Sequence, residues 1–265
     1  MAAHRTLNPL VLGSNPRSPI KPTELLKALK EIPVYLLIPA AGSGRRMGSD
    51  RNKLLLPLLD KPILAWTLQA AELSSSIHWI GIIGQPIDFP DFETILTALN
   101  LTKPVVLISG GTTRQASVYQ GLQALPEQAK QVLIHDGARC LVTPELFDRC
   151  SEALQSCSGL IAAVTVKDTI KVVDADLQVT GTPDRAYLWA AQTPQGFQVD
   201  LLKTCHEKGI QHQWEVTDDA ALFEKCGLPV NIVPGEETNL KVTTPIDLAI
   251  AQFVLGDRRN RSAGL

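Results

Sequence analysis

Val34-Tyr35-Leu36-Leu37-Ile38, running into Pro39-Ala40-Ala41-Gly42-Ser43-Gly44-Arg45-Arg46-Met47 with Lys53 a little downstream, is the stretch that decides the fold. A short continuous apolar run is the pattern of a strand buried on both faces of a parallel sheet. The glycine turn then stands at a strand's carboxyl end, where open α/β sheets bind ligands. Gly42 and Gly44 let the backbone turn tightly and present N–H groups, while Arg45, Arg46 and Lys53 supply positive charge. This combination predicts a polyphosphate site, and its charge suits a nucleoside triphosphate. The alternative is a glycine-containing strand-to-helix turn with solvated arginines. Two familiar phosphate loops are excluded: a dinucleotide fingerprint needs Gly where Met47 stands, and the Walker pattern needs Gly-Lys-Ser/Thr.

Working outward, apolar runs recur at Tyr35 to Pro39, Trp79 to Ile83, Val105 to Ser109, Val132 to His135 and Leu160 to Val166. Between them lie helical patterns at Ile63 to Leu73, Phe92 to Leu99, Arg114 to Leu125 and Pro144 to Cys157. Strict alternation of this kind predicts an α/β fold, Rossmann-like, with a mainly parallel sheet and helices on both faces. Pro62 and Pro144 suit a first helical turn, where the missing N–H has no partner to lose. The rhythm then changes: Asp168 to Asp174 alternates polar and apolar residues, turns at Asp174-Ala175-Asp176 and resumes at Leu177 to Thr180, a hairpin inserted in an α/β chain. A two-stranded hairpin is marginal alone in water, so this one is expected to pack on another subunit; an ordinary surface hairpin is the alternative. Helical patterns return at Asp200 to Lys208, Asp218 to Cys226 and Pro245 to Leu255, with a strand near Val230 to Val233.

The chain has 265 residues, a formal net charge of −2 and five cysteines. That length suits one large α/β domain, and the near-balanced charge offers no broad basic face to a nucleic acid. The apolar runs fall short of the roughly 20 residues a membrane span needs. Cys140, Cys150, Cys157, Cys205 and Cys226 have no C-x-x-C spacing, against both a disulfide framework and a structural zinc site. A cytoplasmic location is expected. Residues 1–21 contain no acid and several Arg, Ser and Pro, so a plastid transit peptide is the alternative to a disordered extension. The expected organisation is an N-terminal extension over 1–32, with a short helix at Thr23 to Lys30, a domain over 33–256 with an arm at about 167–187, and a tail over 257–265.

With these segments placed, the chain from about Pro33 to Leu255 closely resembles the 2-C-methyl-D-erythritol 4-phosphate cytidylyltransferase family. The resemblance rests on an ordered set of motifs: the Pro39 to Met47 loop with Lys53, Gly110-Gly111-Thr112-Thr113-Arg114-Gln115-Ala116-Ser117-Val118, and His135-Asp136-Gly137-Ala138-Arg139. Asp168-Thr169, Asp184-Arg185, Leu188-Trp189, Gln192-Thr193-Pro194-Gln195, Val216-Thr217-Asp218-Asp219 and Asn239-Leu240-Lys241-Val242-Thr243 complete it.

The resemblance implies transfer of CMP from CTP to 2-C-methyl-D-erythritol 4-phosphate, releasing pyrophosphate, within the non-mevalonate isoprenoid pathway. It implies that Pro39, Ala40, Ala41, Gly42, Gly44 and Arg46 cradle the triphosphate, with Lys53, Lys241 and Arg46 acting on the reacting phosphates. Gly111, Thr112, Arg114 and Ser117 would enclose the cytosine. Asp136, Arg139, Thr193, Thr217 and Lys241 would serve ribose and acceptor, and Thr169 and Arg185 would reach a neighbour's acceptor site from an arm that builds a homodimer. Mg²⁺ is expected, held mainly by triphosphate oxygens and water and by no protein cage. The chain departs from the family pattern at Thr112, where many relatives carry an acid, at Gly137 and at Cys140. The alternatives are a cytidylyltransferase for ribitol 5-phosphate or another polyol phosphate, and a glycosyltransferase-like nucleotide-binding protein, whose Asp-x-Asp would have to be Asp174-Ala175-Asp176 at the hairpin tip. His135 reads as a packing or hydrogen-bonding histidine. Trp66, Trp79, Trp189 and Trp214 read as core or interface anchors, and Thr217 as an N-cap.

Overall fold

The computed structural model describes residues 32–42 and 52–263. The helix expected at Thr23 to Lys30, and Gly44, Arg45 and Arg46 of the loop, lie outside the described residues. Strand β1 (Val34–Pro39) is followed by a 3-10 turn at Lys53–Leu55, a minimal hairpin β2 (Pro57–Leu58) and β3 (Lys61–Pro62), and helix α1 (Ile63–Leu73). Then come β4 (Ile77–Gly84) with α2 (Phe89–Leu99), β5 (Val105–Ser109) with α3 (Arg114–Gln123), and β6 (Gln131–Ile134) with α4 (Pro144–Leu154). After β7 (Gly159–Thr165) the chain forms the pair β8 (Val172–Val173) and β9 (Val179–Gly181), then the long strand β10 (Trp189–Gln198), α5 (Val199–Gln211), α6 (Asp219–Lys225), β11 (Asn231–Pro234) and α7 (Pro245–Ala263).

Among the described residues the main sheet has the order β11-β7-β10-β6-β1-β4-β5. The β5-β4-β1-β6 and β7-β11 contacts are parallel, while β10 runs antiparallel to both β6 and β7. Successive β1 side chains point to opposite faces, and each face is buried. Val34, Leu36 and Ile38 enter a core with α1, α2, α4 and α7, whereas Tyr35 and Leu37 enter a second core with α3, α5 and α6. Helices therefore cover both faces, as the alternation predicts, and β1 is continuously apolar because neither of its faces meets water. Because β4 and β6 flank β1 on opposite sides, the connections diverge there, which opens a crevice above the strands' carboxyl ends.

Local chemistry sets the helix starts. Thr113 caps α3 by accepting from Ala116 N (3.0 Å), and Thr143 caps α4 by accepting from Leu146 N (3.2 Å), with Pro144 in the first turn. Pro62 is itself the N-cap of α1 rather than part of its first turn. The expected N-cap Thr217 is corrected: Asp218 takes the role, accepting from Ala221 N at 2.9 Å. Asp218 stands one residue closer to the helix's open N–H groups.

Several elements differ from expectation, among them β10, the hairpin strands and α7. Strand β10 has no apolar run, since Trp189-Ala-Ala-Gln-Thr-Pro-Gln-Gly-Phe-Gln reads as a loop. Pro194 is tolerated because the β7 register breaks between Ala191 and Gln195 and pairing with β6 begins only at Gln195. The hairpin strands are shorter than Asp168–Asp174 and Leu177–Thr180, because the Asp174 carboxylate accepts from Asp176 N and Gln178 N and draws the turn inward. Helix α7 continues past the expected end at Leu255, and past 257, to Ala263.

Candidate active site

Loops from four strand ends enclose a cleft of about 300 Å³. From β1 come Pro39, Ala41 and Gly42; Ala40 is buried beneath them, its N–H donating to Ile83 O at 2.7 Å and so extending the β1–β4 ladder. Lys53 and Leu54 follow from the 3-10 turn, and Gln85 from the end of β4. Lys53 Nζ donates to Val242 O at 2.9 Å, which fastens this lysine beside Lys241.

The loop after β5 contributes Gly111, Thr112, Thr113, Arg114 and Ser117. Ser117 Oγ donates to Thr113 O (2.8 Å) and accepts from Gly111 N (3.1 Å), folding the loop over the first turn of α3. A Cβ on Gly111 would stand 2.6 Å from Ala116 Cβ, so this turn requires glycine.

The loop after β6 supplies Asp136, Gly137 and Ala138, and Lys241 meets them across the cleft. Asp136 lies between Lys241 Nζ (2.6 Å) and Arg114 Nε (3.8 Å), while Arg114 Nη1 is held from behind by buried Asp219 at 2.8 Å. Burial works to raise the Asp136 pKa, but Lys241 and then Arg114 outweigh it and hold it at about 2, so the carboxylate is ionised. Burial likewise disfavours the Arg114 charge, yet Asp219 and Asp136 more than offset it and its pKa is raised.

Below the cleft floor, His135 is fully buried with Nδ1 3.0 Å from Thr193 Oγ1 and Nε2 3.2 Å from Arg139 O, and its ring meets Phe147 edge-on. Burial pushes its pKa down to about 4. The packing role expected from the sequence is what the geometry displays. Thr193 is buried and accepts from Asp136 N (3.0 Å), while Asn239 Nδ2 donates to Thr193 O (2.8 Å), so strand β10 carries both the acid and the lysine segment.

Eight of the residues expected to hold the nucleotide or the reacting phosphates line the cleft: Pro39, Ala41, Gly42, Lys53, Gly111, Thr112, Arg114 and Ser117. Asp136 and Lys241 join them. Ala40 and Thr193 are buried and contribute backbone or support. Arg139 turns away from the lining, donating to Asn239 O (2.7 Å) and Ala191 O (3.3 Å). Thr217 is exposed and outside the lining, as are Thr169 and Arg185 on the hairpin side, where Arg185 donates to Lys167 O at 2.9 Å. Gln85 was missed by sequence reasoning; the rule that ligands bind at parallel strand ends was the available signal. Among the tryptophans, Trp79 is core and Trp66 is half-buried with Lys61 and Arg259 over its ring, whereas Trp189 is exposed.

Among the described residues no group of three His, Cys, Asp or Glu side chains could hold a metal, and no helix is long and apolar enough to cross a membrane. Fold and cleft together are those of an α/β nucleotidyltransferase. The family model described as 2-C-methyl-D-erythritol 4-phosphate cytidylyltransferase matches residues 34–257. Relatives bearing that name from Crocosphaera subtropica and Synechocystis are 72% identical over 85% of this chain and 99% of theirs, and 70% identical over 87% and 100%. The crystal structure of 4-diphosphocytidyl-2C-methyl-D-erythritol synthase from Anaerococcus prevotii has TM-score 0.77 at 33% identity, covering 84% of this chain and 98% of that one. The Thermus thermophilus cytidylyltransferase has TM-score 0.67 at 31% identity, over 84% and 98%. The chain belongs to the 2-C-methyl-D-erythritol 4-phosphate cytidylyltransferase family.

Proposed function

We propose that the cleft transfers the cytidylyl group of CTP to 2-C-methyl-D-erythritol 4-phosphate in isoprenoid precursor synthesis. The carrying observation is the pair Lys53 and Lys241, which both line the cleft and are linked by the Lys53 Nζ bond to the carbonyl of Val242, next in sequence to Lys241. A phosphate oxygen of the acceptor attacks the α-phosphorus of CTP and forms the new P–O bond. The bond from that phosphorus to the bridging oxygen breaks, and its electron pair leaves with pyrophosphate. The acceptor is already anionic at neutral pH, so no general base is required and the protein contributes orientation and fixed positive charge. Lys53 acts on the triphosphate, and Arg46 is assigned the same role. Lys241 exchanges its Asp136 partner for phosphate oxygens as the substrates enter.

The backbone of Pro39 to Gly42, with Gly44, cradles the phosphates, and Gly111, Thr112, Arg114 and Ser117 receive the cytosine. Asp136, Arg139, Thr193 and Thr217 serve the ribose and acceptor side. Asp136 is the one carboxylate among the described lining residues, so Mg²⁺ would be carried mainly on triphosphate oxygens and waters rather than in a protein cage. When bound, Mg²⁺ neutralises phosphate charge.

We assign the hairpin to a homodimer contact. It exposes Val172, Val173, Val179, Tyr187 and Trp189, apolar area that a second copy would cover, bringing Thr169 and Arg185 to the partner's acceptor site. The test is pyrophosphate release with CTP against a panel of polyol phosphates. Release with 2-C-methyl-D-erythritol 4-phosphate and not with ribitol 5-phosphate supports the acceptor; the reverse preference overturns it. Mixing Lys53→Ala with Arg185→Ala subunits should restore activity if the sites are shared, and failure after verified subunit exchange removes the shared site.

A further inference from the structure

We infer that Asn52 is a positioning residue of the transfer reaction, a three-way carboxamide clamp that fixes the Ala40 turn and Lys53 relative to each other. Its Nδ2 donates to Ala40 O (2.6 Å) and to Asp88 Oδ2 (2.8 Å), and its Oδ1 accepts from Leu54 N (3.0 Å). The side chain is 6% exposed. The three partners settle the amide orientation: Leu54 N can only donate, and the Ala40 carbonyl can only accept. A single planar group with two donors and an acceptor is required, and among similar-sized side chains asparagine alone supplies it.

The clamp joins the end of β1, the 3-10 turn and the turn after β4. Ala40 N is bonded to Ile83 O (2.7 Å), so the Asn52 contact pins the Ala40 backbone on both sides, immediately before the cleft-lining Ala41 and Gly42. Asn52 also caps the 3-10 turn that begins with Lys53, and its own carbonyl accepts from Leu55 N at 3.0 Å. Lys53 in turn reaches Val242 O (2.9 Å), next to Lys241. Asp88 arrives from the turn after β4, beyond the cleft residue Gln85. Displacing Asn52 therefore moves the phosphate cradle and both lysines relative to one another. A misplacement of about 1 Å is enough to cost on the order of 10²-fold in rate.

The experiment compares Asn52→Asp, the double variant Asn52→Asp with Asp88→Asn, and Lys53→Ala, reading kcat by pyrophosphate release, CTP Kd by calorimetry and melting temperature. Asn52→Asp sets a carboxylate against the Ala40 carbonyl and the Asp88 carboxylate, and kcat should fall about 10²-fold while CTP Kd shifts far less. The double variant restores the link to position 88 with donor and acceptor exchanged but leaves the Ala40 carbonyl opposed. Its melting temperature should recover while kcat stays at least about tenfold low, which a purely structural role would not produce. If Asn52→Asp does not fold, the double variant carries the test alone. Near-normal kcat in Asn52→Asp, or recovery of kcat together with melting temperature in the double variant, overturns the inference. The inference rests on the role proposed for Lys53, and the two fail separately. Normal turnover in Lys53→Ala removes that role, whereas an impaired Lys53→Ala beside a normal Asn52→Asp removes only the clamp.

Discussion

Replacing Asp136 by Asn should separate nucleotide binding from turnover. The Asp136 carboxyl sits at about 2 against an ordinary 3.8, a difference that corresponds to about 2 kcal/mol of stability. Because the folded value is depressed, that stability is present above pH 3.8 and is lost as pH falls through about 2. The variant removes the charge and orphans chiefly Lys241, since Arg114 keeps Asp219 at 2.8 Å. At neutral pH it should be about 1–3 kcal/mol less stable, below the cost of breaking a fully buried pair because Lys241 is 40% exposed. Loss of one negative charge from a cleft that receives a polyanion should tighten CTP by on the order of 1 kcal/mol, about fivefold in Kd. Turnover should nevertheless fall on the order of 10²-fold, because without the carboxylate Lys241 is no longer aimed into the cleft before the substrates arrive. Steady-state pyrophosphate release, calorimetric CTP titration and urea unfolding from neutral pH down to about 2 read the three quantities. The reasoning fails if CTP binding weakens in step with kcat, or if the stability gap is as wide near pH 2 as at neutrality.

The buried His135, pushed down to about 4 from 6.5, remains neutral while its unfolded counterpart takes a proton. Wild-type stability should therefore decline as pH falls from 6.5 toward 4, His135→Gln should lack that slope, and an imidazole NMR midpoint near 6.5 contradicts it. Gly121→Ala should cost about 1–3 kcal/mol despite alanine's better helix propensity, since the new Cβ would stand 2.5 Å from Ile83 Cδ1 and 3.1 Å from Leu37 Cδ1; an unchanged urea midpoint contradicts this. A cleft of about 300 Å³ bounded by Gly111 and Ser117 should reject purines, so comparable kcat/KM for ATP and CTP would remove the pocket assignment.

The legible parts of the chain are those where local chemistry and tertiary place agree. Ile63–Leu73 and Val105–Ser109 have the bounds their patterns predict, because burial and periodicity act on the same residues. Strand β10 was illegible for the opposite reason: Gln192, Thr193, Gln195 and Gly196 are buried by pairing with β6 and β7 and by polar bonds, which no run of apolar letters announces. The bond from Lys53 to Val242 spans 189 residues and depends on a backbone carbonyl, which every residue carries. Gln85 has no chemical signature, only a position after a strand. That the Arg139 guanidinium donates to two carbonyls has no signature in its motif either, since carbonyls belong to the backbone.

That hidden strand explains why the cleft can hold its cations ready. Lys241, Asp136, Arg114 and Asp219 form a line of alternating charge with separations of 2.6, 3.8 and 2.8 Å. Two cations placed this close without intervening carboxylates would repel and scatter their side chains, and the order would have to be created at the moment of reaction. Here Thr193 of β10 fixes the Asp136 backbone, and Asn239 ties the lysine segment to the same residue. Gln195 Nε2 binds Asp218 at 2.8 Å and so anchors the start of the helix bearing Asp219. Lys241 and Arg114 are therefore already aimed before any substrate arrives. Arg114 is further fixed by Asp219, whose carboxylate is buried behind it and outside the cleft lining.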